Sequence, residues 1–153
     1  MSYTWNVPDD DFNAIRQWFA EWTVNVADVD FVPARDLFED NVASFGTHMD
    51  VVEGLQNLEN NQWRSVWPTI EDFSFLLPTL KVAVSPDRRM AMGIITFSST
   101  GITADGHRFQ RPGRATVAFS RARRNAKWKA IHTHVSLNPG TPAPSHGKRP
   151  AKS

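Results

Sequence analysis

The chain has no cysteine, a single tyrosine and almost no net charge, seventeen Lys and Arg standing against sixteen Asp and Glu in 153 residues. Without cysteine there are no disulfides, no thiolate metal ligands and no thiol nucleophile. Three of the positive charges, Lys148, Arg149 and Lys152, lie near the C-terminal end, so the remainder is slightly acidic. A nucleic-acid binder needs a basic face to neutralise phosphates, and no nucleic-acid partner is expected. No stretch approaches the roughly 18 apolar residues of a membrane span, so no membrane partner is expected either. Residues 1–11 carry a proline and three consecutive aspartates where a secretory signal would carry basic and then apolar residues, and the expected location is cytoplasmic. Neither a glycine-rich phosphate loop nor a Gly-x-Ser-x-Gly elbow occurs, which argues against nucleotide cofactors and against a Ser-His-Asp hydrolase. No cofactor is expected.

Aromatics, by contrast, are plentiful, with six Trp and ten Phe. A hydrophobic share of 41% with 22% charged residues places the chain among sequences that bury a core unaided. Phe12, Ile15, Trp18, Phe19, Trp22 and Val26 recur at spacings of three and four behind Pro8-Asp9-Asp10-Asp11. This predicts a first helix whose acidic start complements the macrodipole, with one aspartate available as a cap. Residues 32–38 read as a short second helix, Glu39-Asp40-Asn41 as a turn, and residues 42–45 as a strand ended by Gly46. A third helix is predicted over residues 54–66, stopped by Pro68, with Trp63 and Trp67 on one side. Five strands follow, over residues 70–76, 80–85, 90–99, 114–121 and 128–137, separated by turn chemistry. Helices first and antiparallel strands second is an α+β pattern, with helices on one face of a curved sheet. We expect one domain over residues 1–140 and a disordered Pro-rich basic tail over 141–153.

Arg114-Ala115-Thr116-Val117, followed by residues 128–140 with their His132-x-His134-x-Ser136-x-x-Pro139-Gly140, resembles the closing hairpin of the SnoaL-like family. Leu37-Phe38-Glu39-Asp40-Asn41, Phe45-Gly46-Thr47 and Asp50-Val51-Val52-Glu53-Gly54 are similar to that family's helix-to-strand junction and its entry to the third helix. The closing motif is also similar to the association domain of calcium/calmodulin-dependent kinases, a non-enzyme of the same nuclear transport factor 2-like superfamily. The resemblance implies a cone-shaped, bent antiparallel sheet with three N-terminal helices, an internal pocket, and a homodimer built on the outer face of the sheet. It departs from the ketosteroid isomerases, which use an aspartate base and a tyrosine. Phe45-Gly46 stands where the base would be, and the one tyrosine, Tyr3, precedes the first helix.

Alternation along the last strand puts His132, His134 and Ser136 on one face and Ile131, Thr133, Val135 and Leu137 on the other. If the polar face points into the cone, two imidazoles and a hydroxyl converge on a ligand, and the apolar face is left for a dimer contact. Arg114 and Thr116 share a face on the neighbouring strand. The expected roles are His134 as acid or base, His132 assisting and Arg114 polarising a carbonyl, as in an isomerase, lyase or cyclase. Trp18, Trp22, Phe45, Trp63, Trp67, Thr116 and Ser136 would contact a hydrophobic or carbonyl-containing small molecule. Two alternatives stay open: a non-catalytic binder using the same pocket, and a dimerisation module in which the motif is an internal hydrogen-bond network. A metal on His132 and His134 would need a third ligand from His48, Asp50 or Asp40, and no spacing selects one; no metal is expected.

Overall fold

The computed structural model describes residues 5, 7–46 and 50–142. Helix α1 (Asp9–Asp28) takes its place from the apolar spacing: Ile15 and Phe19 are fully buried, and Trp18, Trp22 and Val26 nearly so. Pro8 stands at its N-cap and no side chain caps the first turn, so the expected aspartate cap is not made. Asp11 is instead buried and committed to two arginines. The helix ends on Val29, whose left-handed backbone (φ 52°) lets its N–H reach the carbonyls of Asn25 and Val26.

The second helix, α2 (Phe31–Arg35), is shorter than the sequence suggests, because Phe38 already belongs to strand β1 (Phe38–Phe45). Glu39-Asp40-Asn41 is therefore not a turn. Its polar residues ride on a register shift between Phe38 and Ala43, a bulge that lets them stay in water while Phe38 and Val42 face the core. Strand β2 (Val51–Glu53) pairs antiparallel with β1. The third helical region is irregular: α3 (Leu55–Leu58), a π-turn (Glu59–Trp63), α4 (Arg64–Val66) and a 3₁₀ turn (Trp67–Thr69). Leu58 and Trp63 are both buried although five residues apart, a spacing off the α period that the i→i+5 bonding of a π-turn accommodates.

The rest is sheet: β3 (Ile70–Phe75), β4 (Lys81–Val84), β5 (Met90–Ile102), β6 (Arg108–Gln110), β7 (Gly113–Ser120) and β8 (Lys129–Leu137). The order is β2-β1-β8-β7-β5-β3, with β4 and β6 also paired to β5. The thirteen-residue β5 is the spine, carrying β4 and β3 along one edge and β7 and β6 along the other. All pairings are antiparallel except β1 with β8, which run parallel, so the sheet is mixed. The short, mostly exposed β6 has no apolar alternation to announce it, and the sequence reading passes over it.

One face of this curved sheet meets α1. Trp18 packs edge-on against Phe38 and Phe119, and Phe19 against Phe75, with ring centroids 4.9–5.4 Å apart. Gly93 lies directly beneath Phe19: a Cβ there would come within 2.9 Å of the ring. The expected tail from residue 143 onward, and Tyr3, lie outside the described residues.

Candidate functional site

Strand β7 decides which way the neighbouring strands face. Gly113, Ala115, Val117 and Phe119 are buried toward α1, so Arg114, Thr116 and Ala118 face outward. Cross-strand pairing then sets Ser136 beside Arg114, His134 beside Thr116 and His132 beside Ala118, all on the outer face. The expectation that the histidines point into the cone is corrected by this register. Burying Val117 and Phe119 is favourable, and a one-residue slip would expose them. Thr133 and Val135 point inward instead, Thr133 donating from its hydroxyl to buried Ser44 Oγ at 2.7 Å. The apolar face of β8 is thus a cavity wall and is not open for a dimer contact.

The residues read from the sequence as one pocket accordingly separate onto two faces. On the outside, a groove of about 480 Å³ gathers Arg114, Thr116, His134 and Ser136 with Lys81 and Thr96. Arg114 Nε donates to Ser136 Oγ at 3.1 Å. His132 lies beyond this groove, donating from Nδ1 to the Ala43 carbonyl at 2.7 Å, the tautomer that a carbonyl acceptor demands. Phe45, expected in the pocket, is half-exposed on the same outer face, with its ring edge-on to His132 and His134 at 4.9 and 5.2 Å.

On the inside, Trp22, Trp63 and Trp67 line a cavity with Phe73, Phe75 and Phe97, while Trp18 is core and does not reach it. Trp63 stacks on Trp67 at 4.8 Å and Trp67 on Phe31 at 5.2 Å, and Arg64 caps the stack 4.4 Å above Phe31. The space left is only about 50 Å³, so the expected large cavity for a ring is mostly filled by the rings themselves.

Two polar residues on this wall were not singled out from sequence. Arg111 is 3% exposed, and burial pushes its guanidinium below the usual arginine range. Its signal was present: residue 111 has the parity of Gly113, Ala115 and Val117, so the alternation carries it inward. Gln62 comes from the π-turn; its Oε1 is buried with no donor among the described residues, and its amide lies against Gly46, where a Cβ would stand 2.3 Å from Nε2. Nor does any group among the described residues accept from Trp22 Nε1.

Among the described residues no three His, Asp or Glu side chains are placed to hold a metal ion, and His48 lies outside them. No described helix is long and apolar enough to cross a membrane.

A mixed, curved sheet wrapped about an N-terminal helix, with its cavity between the two, is the cystatin-like fold of the nuclear transport factor 2-like superfamily. The family model of the SnoaL-like domain matches residues 15–139, and the chain belongs to that family. No curated protein matches it in sequence. Among solved structures it is similar to a ketosteroid isomerase-like protein from Erwinia carotovora atroseptica, at TM-score 0.73 and 14% identity, covering 88% of this chain and 100% of that one. It is similar to the CaMKII hub of S. rosetta at TM-score 0.68 and 18% identity, over 86% of this chain and 100% of that one. A nuclear transport factor 2-like protein of Salmonella enterica matches at TM-score 0.67 and 15% identity, over 89% and 96%. At these identities the likeness is one of fold.

Proposed function

We propose that the protein binds a small molecule in its internal cavity without transforming it. The observation that carries this reading is the make-up of the wall: aromatic rings, amide, hydroxyl and guanidinium, with no carboxylate, imidazole or phenol among the described lining residues. Convergent polar groups in an apolar enclosure suit a binding site. Proton transfer needs a group that titrates near neutrality within reach of the ligand, and this wall supplies none. Acid–base chemistry by His134 and Arg114 would have to proceed on the outer groove, open to water, where electrostatic stabilisation is weakest.

The test is native mass spectrometry of the purified protein, followed by denaturation and analysis of what is released. A stoichiometric small molecule, absent from a Val135→Phe variant whose added carbons fill the cavity, supports the reading. A wild-type protein that carries nothing and takes up nothing overturns it.

A second reading, self-association through the outer face, has its own observation. Phe45, Met90 and Met92 are 37–45% exposed on that face, and rows such as Ile94–Thr116–His134–Phe45 run across four strands. The similarity to a CaMKII hub supports a homodimer through this face. The two readings use opposite faces of one sheet and are compatible.

A further inference from the structure

The outer groove holds two cations and no acid among its described lining residues. Arg35, Arg64, Arg88, Arg108 and Arg121 each meet a carboxylate elsewhere in the fold. Lys81 and Arg114, in the groove, meet none among the described residues.

The sheet register gathers the groove's side chains on one patch. Lys81, Ile94, Thr116 and His134 form a single cross-strand row over β4, β5, β7 and β8, and Arg114 and Ser136 are paired in the next. At about 4.8 Å per strand and about 3.4 Å per residue, the Lys81 and Arg114 backbones stand about 12 Å apart, a gap their long side chains close on one small group. Hydrogen bonding then sets the sense of the site. Arg114 Nε is committed to Ser136 Oγ at 3.1 Å, which tethers the guanidinium to β8 and leaves its two terminal nitrogens without an acceptor among the described residues. The Ser136 and Thr116 hydroxyls likewise donate to no described residue. Thr96 differs, since its hydroxyl is bonded to Thr79 Oγ1, which donates onward to the Leu76 carbonyl. What faces the groove is therefore a set of donors, and guanidinium and ammonium can only donate.

We infer that this groove is a site for the phosphate group of a small phosphomonoester. Such a group is close to a dianion at neutral pH and carries three acceptor oxygens, matching two cations and their neighbouring hydroxyls. A carboxylate, with one charge and two oxygens, leaves one cation unmatched. A phosphate group fills little of about 480 Å³, and the remaining space, with Ile94 beneath and His134 beside it, takes the organic part. The site lies on the face opposite the internal cavity. Phe45, Met90 and Met92, which carry the self-association reading, are not among its lining residues, so the inference is independent of both readings.

The experiment is a titration of the full chain with phenyl phosphate, inorganic phosphate and benzoate at about pH 7.5, where the phosphates are mostly dianionic. Ionic strength is held constant with sodium chloride, and the Thr116, His134 and Ser136 amides are followed in ¹H–¹⁵N spectra. Expected are saturable shifts with both phosphates, phenyl phosphate about three- to tenfold tighter than inorganic phosphate, and benzoate at least about tenfold weaker than phenyl phosphate. Arg114→Gln and Lys81→Gln should each weaken phenyl phosphate at least about fivefold. Arg123→Gln, which removes an equal charge from the exposed turn between β7 and β8, should change it less than about twofold. All three positions are exposed, so the variants keep the fold, which their spectra verify.

Equal binding of the two phosphates would overturn the assignment to a monoester and leave a site for inorganic phosphate. Shifts that rise without saturation, or benzoate as tight as phenyl phosphate, would overturn the inference. An Arg123→Gln effect equal to that of Arg114→Gln would overturn it too, by reducing the binding to net charge.

Discussion

Asp11 is the residue on which the start of α1 depends. Its carboxylate is 2% exposed and accepts from Arg88 Nε at 2.6 Å and from an Arg121 terminal nitrogen at 2.8 Å. Burial alone would raise its pKa, but the two guanidiniums outweigh that and hold it below the usual aspartate value. Arg121 is itself buried, lies 3.9 Å over the Trp128 ring and donates to the Arg88 carbonyl. Asp11→Asn would leave that cation buried without its counter-charge, and we expect a loss of about 3–5 kcal/mol in urea unfolding. The sequence shows Asp11 only as one of three acids at a helix start; that it crosses to residues 77 and 110 positions away is a matter of tertiary contact. His134 offers the opposite case. Because it faces the outer groove, His134→Gln should leave uptake of a ligand by the internal cavity unchanged, checked by native mass spectrometry of the purified variant, and a loss of uptake would mean the two faces communicate.

At the scale of elements, the irregular helix forms one wall of the cavity. Glu59 opens its π-turn and is held by Arg35 and Arg64, with Arg35 Nε at 2.5 Å and an Arg64 terminal nitrogen at 2.6 Å. The Arg35 hydrogen bond, aided by Arg64, outweighs burial and brings the Glu59 carboxyl down to about 2 from its ordinary 4.5. A group whose pKa is lowered on folding stabilises fully above its unfolded value. That stabilisation fades as pH falls from about 4.5 and is gone below about 2. Both arginines are about half exposed, so solvent screening keeps the effect of Glu59→Gln near neutrality to about 1 kcal/mol. Urea midpoints of wild type and Glu59→Gln measured from pH 6 to pH 2.5 should therefore converge toward the acid end. A difference that stays constant with pH would show that Glu59 acts through shape alone. The helix itself was legible from Gly54 to Pro68, and Trp63 with Trp67 was rightly placed on one side. The π-turn was not legible, since the five-residue step from Leu58 to Trp63 becomes evident only when both are seen buried.

At the scale of the molecule, the two proposed functions place cavity ligand binding and self-association on opposite faces of the sheet. The outer face presents Met92, Ala118, His132 and Ala43 as one cross-strand row and Ile94, Thr116, His134 and Phe45 as the next. If this face mediates self-association, Met92→Glu should shift sedimentation velocity from dimer to monomer with unchanged circular dichroism. It should also leave copurification of a cavity ligand intact. Unchanged sedimentation with Met92→Glu would remove this face from the interface.

Sequence by itself determined the order of elements, the apolar face of α1, the positions of β3, β4, β5, β7 and β8, and family membership. These follow from local periodicity and from a motif, both properties of neighbouring residues. It also determined that His132, His134 and Ser136 share a face with Arg114 and Thr116 across the hairpin, since alternation fixes relative parity. Which of the two faces met α1 was decided by tertiary structure. The polar motif of β8 suggested an inward-facing site, whereas Val117 and Phe119 of β7, needing burial, turned it outward through their shared register. The pocket's own polar groups, Arg111, Gln62 and Trp22, come from a strand entry, a π-turn and a helix far apart in sequence. Their convergence, and a cavity of about 50 Å³ rather than a ring-sized one, came only with the packing of those three elements against one another.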